Sequence, residues 1–119
     1  MTVRILIVED ELIIATLLKA GLVKAGYGVC GMATNGEQAI QTAQKENPDV
    51  ILMDIHLLGQ MDGIEAAHEI NRFSKAKIIF TTGYSDLGQK ERAMAENPAA
   101  YLVKPVDVRQ IAVSLQNDN

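Results

Sequence analysis

Five side chains with reactive chemistry stand where short apolar runs end. Glu9 and Asp10 follow residues 3–8, Asp54 closes 49–54, Thr82 closes 77–82, and Lys104 follows 99–103. After the weaker run 27–32 come only Ala33 and Thr34. If these positions meet, three carboxylates converge, and like charges at close range raise one another's pKa unless a cation neutralises them. A hard divalent ion such as Mg²⁺ takes carboxylate and phosphate oxygens in octahedral geometry. Lys104 adds a point charge on a flexible stem, suited to a phosphoryl oxygen, and Thr82 adds a hydroxyl donor. Such a set supports in-line phosphoryl transfer onto a carboxylate, where positioning and charge neutralisation do most of the catalysis. Asp54 is the nucleophile this reading selects, with Glu9 and Asp10 as the metal-holding acids.

Those five positions must be brought together by the elements before and after them. Each run is short and apolar, as expected of a strand buried on both faces. Between the runs lie stripes of helical period. The first is Ile14, Leu17, Leu18, Gly21, Leu22 and Ala25, stopped by Gly26. The second opens at Asn35-Gly36, carries Ala39, Ile40 and Ala43, and closes before Pro48. Asp62 is placed to cap a third helix through Ile64, Ala67 and Ile70. Ser85 or Asp86 would cap a fourth, running to about residue 96 before Asn97-Pro98, and Val108, Ile111, Ala112 and Leu115 stripe a fifth. Strand and helix alternate five times, so the expected fold is α/β: an open parallel sheet covered by helices on both faces. Ligands of such sheets bind at the carboxyl ends of the strands, beside the switch point. The order 2-1-3-4-5 sets the first and third strands side by side and makes the list of acids coherent.

Composition narrows the classes. The 119 residues are 48% hydrophobic and 22% charged, and the chain is expected to be one globular domain over 1–119. Fifteen acids against eleven bases leave a net charge of -4, without the basic surplus of a nucleic-acid footprint. Setting Glu9, Asp10 and Asp54 aside leaves twelve acids against eleven bases, so most of that charge belongs to the proposed cation pocket. One cysteine, Cys30, excludes an internal disulfide and is expected to be a small inert core residue. His56 and His68 offer no zinc spacing. No 18-residue apolar run and no signal peptide are present, so a cytoplasmic protein without membrane association is expected. The segment Gly26-Tyr27-Gly28-Val29-Cys30-Gly31 matches G-x-G-x-x-G by letter. It follows a helix and enters a strand, the reverse of a dinucleotide fingerprint.

The strings ILIVEDE (5–11), DVILMDIHL (49–57), MDGIEAA (61–67), IIFTTGY (78–84) and YLVKP (101–105) together resemble the receiver domains of two-component response regulators, in order and spacing along the whole chain. The resemblance implies a flavodoxin-like receiver fold and a switch rather than a turnover enzyme. Asp54 would accept a phosphoryl group from a phosphohistidine of a sensor kinase or phosphotransfer protein. Glu9 and Asp10 would hold Mg²⁺, with Mn²⁺ able to replace it, joined by Asp54 and the backbone carbonyl of His56. Lys104 would contact the phosphoryl oxygen. Thr82 would turn toward the phosphate and Tyr101 move inward with it. The face of the fourth helix, fifth strand and fifth helix would then change its partners, a downstream protein or a second copy. Side chains of His56 and Tyr84 at the mouth would tune water access. Two departures stand out: Leu58 replaces a frequent proline, and the loop to Met61-Asp62-Gly63 is one residue longer through Gly59-Gln60. A small Mg²⁺-dependent phosphohydrolase and a receiver acting only as an interaction module remain as alternatives. No lid or insertion favours the first, and the intact acid, hydroxyl and lysine set opposes the second.

Overall fold

A computed structural model of the chain describes residues 2–83 and 88–116; Tyr84, the caps expected at Ser85 and Asp86, and the tail beyond Gln116 lie outside the described residues. Strand and helix alternate as β1 Arg4–Val8, α1 Leu12–Lys24, β2 Gly28–Ala33, α2 Gly36–Glu46, β3 Val50–Asp54, α3 Gly63–Asn71, β4 Lys77–Thr82, α4 Lys90–Met94, β5 Ala100–Val103 and α5 Val108–Gln116. The strands form one parallel sheet in the order β2-β1-β3-β4-β5, with β1 and β3 adjacent at its centre. The expected topology holds, and the strand bounds shift by no more than one residue. The G-x-G-x-x-G letters run from the end of α1 into β2, with Gly26 in left-handed backbone at φ 99° just after the helix.

The side-chain period of two in the central strands divides the core into two layers. Ile5, Ile7, Val50, Leu52 and Ile79 face Ala15 and Leu22 of α1 and Ile111 of α5. Leu6, Val8, Ile51, Met53, Ile78 and Phe80 face Ala39 and Ala43 of α2, Ile64, Ala67 and Ile70 of α3, and Ala93 of α4. Thus α1 and α5 cover one face, and α2, α3 and α4 the other. Phe80 is fully buried at the centre of the second layer; truncating such a ring costs about 3–5 kcal/mol.

Two expectations are corrected. The inward stripe of α1 is Ala15, Leu18 and Leu22, while Leu17 and Ala25 are exposed. The sequence LIIATLLKAGLVK is apolar on nearly every side, so its period does not fix which side turns in. Glu11 occupies the N-cap position of α1 and makes no side-chain capping bond. The fourth helix is shorter than expected. It begins at Lys90 after a single 3₁₀ turn at 88–89 and ends at Met94. Gly88 is a poor helix former at the entrance, and the left-handed Asn97 followed by Pro98 closes the exit. By contrast, Asp62 caps α3 in a full capping box: its Oδ1 accepts from Glu65 N–H at 2.8 Å, and Glu65 Oε1 accepts from Asp62 N–H at 2.9 Å. Such a cap contributes on the order of 1 kcal/mol. Cys30 is only half-buried on the edge strand, and burial pushes its thiol pKa up, as suits an unreactive residue.

Candidate functional site

Strand parity sorts the candidate residues before any contact is considered. Asp54 continues the line of Val50 and Leu52, which faces α1 and α5, and Thr81 continues that of Ile79. Glu9 and Lys104 extend β1 and β5 in the same phase. Thr82 and Tyr101 fall in the opposite phase, beside Phe80 and the layer under α4. The acid and lysine machinery therefore sits on one side of the sheet end, and the two switch candidates on the other.

Glu9 and Asp54 are 3% and 2% exposed, which is rare for carboxylates unless they are paired. Both are paired. Lys104 Nζ donates to Glu9 Oε1 and to Asp54 Oδ2, each at 2.8 Å. The remaining oxygens are held by backbone: Glu11 N–H donates to Glu9 Oε2 at 3.1 Å, and His56 N–H donates to Asp54 Oδ1 at 3.1 Å. All four oxygens of the two buried carboxylates thus have a donor. Asp10 stands beside them, less buried, and caps nothing. Burial, with Glu9 next to it, raises the Asp10 pKa against the opposing pull of its own backbone amide and Lys104. Carboxylate oxygens of Glu9, Asp10 and Asp54 all lie within 4.8 Å of one another. Three converging hard oxygen donors fit a divalent cation of the Mg²⁺ class, and a single lysine leaves them short of positive charge.

Lys104 is the central resting contact of the site. Burial disfavours its charge, but hydrogen bonds to Asp54 and Glu9 and their negative charge outweigh that and hold its pKa above the usual 10.5. A raised lysine pKa supplies stability that is present below 10.5 and lost as pH rises through the folded-state value. Lys104→Met is therefore expected to destabilise the protein by about 2 kcal/mol, less than for a fully buried pair because the mouth is open to water. The gap from wild type should stay constant from neutral pH to about pH 10 and narrow above it. Urea melts across that range read it; a gap that closed by pH 8 would contradict the assignment.

Other candidates take defined places. The peptide bond between Lys104 and Pro105 is cis. Thr82 is fully buried, and its hydroxyl donates to the Gly83 carbonyl at 3.1 Å. Tyr101 is half-buried against the core under α4, with Lys90 Nζ 5.9 Å from its ring centre. The His56 side chain is exposed at the mouth.

Two positions escape sequence reasoning. Thr81 is buried, pairs in register with Asp54, and its carbonyl accepts from Ile55 N–H at 3.0 Å, fixing the strand end that carries Asp54. Gly63 opens α3, donates its N–H to the Ile55 carbonyl at 2.8 Å, and lies so close to Asp54 that an added Cβ would sit 2.0 Å from the Asp54 carbonyl oxygen. The Asp62-Gly63 pair is the available signal, a cap followed by a residue without a side chain. A groove of about 410 Å³ runs beside the site, lined by Ile14, Leu17 and Leu18 of α1 and Pro105, Val106 and Val108 opposite, with Glu9, Thr81 and Lys104 at its polar end.

Residues 5–116 match the family model described as the response regulator receiver domain. The chain is 35% identical over 113 residues to the transcriptional regulatory protein PdtaR of Mycobacterium tuberculosis, covering 95% of this chain and 55% of that protein. It is 34% identical over 113 residues to the chemotaxis protein CheY of Thermotoga maritima, covering 94% and 93%. The chain thus spans about half the length of the first relative and nearly all of the second. Among solved structures, the signal receiver domain of a modulated diguanylate cyclase from Desulfovibrio desulfuricans G20 superposes with a TM-score of 0.90 at 37% identity, covering 98% and 92%. The fold, the motif order and these matches agree: the chain belongs to the response regulator receiver domains, the phosphoacceptor switches of two-component systems.

Proposed function

We propose that Asp54 is the phosphoacceptor of this chain and that the protein, a single receiver domain over 1–119, works as a cytoplasmic signalling switch. The observation that carries this reading is the setting of Asp54: nearly fully buried at the end of a central strand, gripped by Lys104 and the His56 N–H, and within 4.8 Å of two further carboxylates. In the reaction, an Asp54 carboxylate oxygen attacks the phosphorus of a phosphohistidine. The phosphorus–nitrogen bond breaks, its electron pair stays on the imidazole nitrogen, which takes up a proton, and an acyl phosphate remains on Asp54. Mg²⁺, or Mn²⁺ in its place, would be held by Glu9, Asp10, Asp54 and the His56 carbonyl and would neutralise charge on the transferring group. Lys104 exchanges a carboxylate for a phosphoryl oxygen as its partner. Thr82 gives up the Gly83 carbonyl to donate toward the phosphoryl group, and Tyr101 follows inward, so that the surface of α4, β5 and α5 presents a changed face to a downstream protein or a second copy.

Incubation with a small acyl phosphate and Mg²⁺ should add one phosphoryl mass, with no gain when Mg²⁺ is chelated. Unchanged mass at saturating donor and metal would sink the reading. A phosphohydrolase would instead turn over repeatedly on small phosphate esters.

Transfer from a protein donor asks for a docking surface as well as an acceptor. Leu12, Ile13 and Leu17 project from the first turns of α1, each about two-thirds exposed or more, and Leu17 lines the groove that ends at Lys104. Leu58 is exposed on the opposite rim, beside Asp10. An apolar rim around an acidic mouth suits a partner that carries its phosphohistidine on an apolar helix face, and does not suit nucleic acid. No helix among the described residues is long and apolar enough to cross a membrane. Leu17→Asp is expected to slow transfer from a cognate protein donor about tenfold or more while leaving labelling by a small donor unchanged. Equal slowing with both donors would show damage to the pocket rather than to docking.

A further inference from the structure

Helix α4 has little apolar anchorage. Of its five residues only Ala93 is buried; Lys90, Glu91, Arg92 and Met94 are exposed. Polar contacts to α3 and its cap hold the helix and the turn that follows it. In that turn, His68 Nδ1 pairs with the Glu96 carboxylate at 3.2 Å, and Asn71 Nδ2 donates to the Glu96 carbonyl at 3.2 Å. From within the helix, Arg92 Nη1 donates to Asp62 Oδ2 at 3.1 Å and to Gln89 Oε1 at 2.6 Å.

The partner that Arg92 selects matters. Asp62 is the N-cap of α3, and its other oxygen is committed to the Glu65 N–H. The next residue, Gly63, is seated on the backbone of Asp54 and Ile55. Three contacts in series therefore connect the acceptor strand to α4: Asp54 against Gly63, the cap at Asp62, and the guanidinium of Arg92. Every link is short and in direct contact, and the last is a half-exposed ion pair between two helices rather than a packed core. A weakly anchored helix joined to a rigid cap by one ion pair can be displaced cheaply.

We propose that Arg92 is a positioning residue that couples the seating of α3 on Asp54 to the position of α4, alongside the route through Thr82 and Tyr101. The inference rests on Asp54 as the phosphoacceptor. The resting arrangement is the one with Lys104 on Asp54 and the Thr82 hydroxyl on the Gly83 carbonyl, and the Arg92–Asp62 pair belongs to that arrangement. Whatever stabilises one of two states must weaken binding of a ligand that prefers the other, by the same factor. Removing the pair should therefore favour the phosphorylated arrangement.

The test uses beryllium trifluoride with Mg²⁺ as a stable phosphoryl mimic, and the methyl group of Met94 on α4 as an NMR reporter. Arg92→Gln is expected to tighten beryllofluoride binding about 1.4- to fivefold, the span of an exposed ion pair of about 0.2–1 kcal/mol. In the absence of the mimic, its Met94 methyl resonance should move toward the position seen in the mimic-bound wild type. Arg92→Lys, which keeps the charge, should restore most of the wild-type behaviour. Arg72→Gln, whose partner Glu69 lies on the same helix, should leave both readouts unchanged. A merely structural role for Arg92 would loosen binding or leave it alone, so unchanged or weakened affinity in Arg92→Gln overturns the coupling. Failure of the wild type to bind the mimic would instead overturn the phosphoacceptor reading on which it rests.

Discussion

Asp54→Asn is expected to abolish phosphoryl uptake completely. The substitution is nearly isosteric, so the side-chain oxygen can still accept from the His56 N–H, now at 3.1 Å, and the sheet end need not move. What disappears is the anionic oxygen that faces Lys104 and would attack phosphorus. Neighbouring carboxylates are poor substitutes. Glu9 is fastened by the Glu11 N–H and Lys104, and Asp10 hangs from the edge of the site with its charge already disfavoured. Fold stability should change little, about 1 kcal/mol in either direction, because one ion pair to Lys104 is lost while three crowded carboxylates become two. Intact-protein mass spectrometry after treatment with a small acyl phosphate and Mg²⁺ decides the matter. Continued gain of a phosphoryl mass by the variant would place the acceptor elsewhere. Asp10→Asn provides the contrast: Asp54 survives, one metal donor is weakened, and uptake should slow about tenfold or more without vanishing.

Much of this site could be read before any coordinates because its chemistry sits at strand ends. A strand that is apolar to its last residue and then ends in an acid announces both the element and the position of the charge. Two such endings, at β1 and β3, and a lysine after β5 bring Glu9, Asp10, Asp54 and Lys104 to the same end of the sheet. The list of strand ends sets Thr82 with the acids, whereas the two-residue period of the folded sheet puts it with Tyr101 in the opposite phase. Reading fails where position depends on contact between distant elements. Nothing in LIIATLLKAGLVK tells Leu17 to face out and Ala15 to face in, since the helix is apolar on nearly all sides and only docking onto β1 and α5 chooses. The Arg92–Asp62 ion pair and the His68–Glu96 hydrogen bond join residues about thirty positions apart, and their pairing exists only once α3 and α4 lie side by side. Bridging of Glu9 and Asp54 by Lys104 is hidden for a similar reason. Sequence places the three together, but that the lysine takes both acids at once, each at 2.8 Å, exists only in the folded geometry.

Gly63→Ala should cost far more than an added methyl at Gly21, Gly31 or Gly36, where the new Cβ meets only side chains. The added Cβ would meet the Asp54 carbonyl oxygen at 2.0 Å, its carbon at 2.8 Å and Ile55 Cα at 2.9 Å. All three are backbone atoms at the end of a buried central strand, so no side-chain rotation relieves the clash. Either α3 lifts from the sheet or the strand end bends. Lifting breaks the 2.8 Å bond from Gly63 N–H to the Ile55 carbonyl and strains the Asp62 cap; bending displaces Asp54 itself. The expected loss is about 3 kcal/mol or more, a fall in Tm on the order of 10 °C, and the folded fraction should take up phosphoryl groups from a small donor at least about tenfold more slowly, since catalysis here depends on position. Gly59→Ala separates this contact from a general intolerance of side chains in the same loop. Gly59 has φ 103° and nothing within 4 Å of the added Cβ, so its substitution should cost only about 1 kcal/mol through the backbone and leave the uptake rate unchanged. A Gly63→Ala protein with wild-type melting and wild-type uptake would mean that the start of α3 can shift without disturbing Asp54, and the serial contact from acceptor to cap would lose its first link.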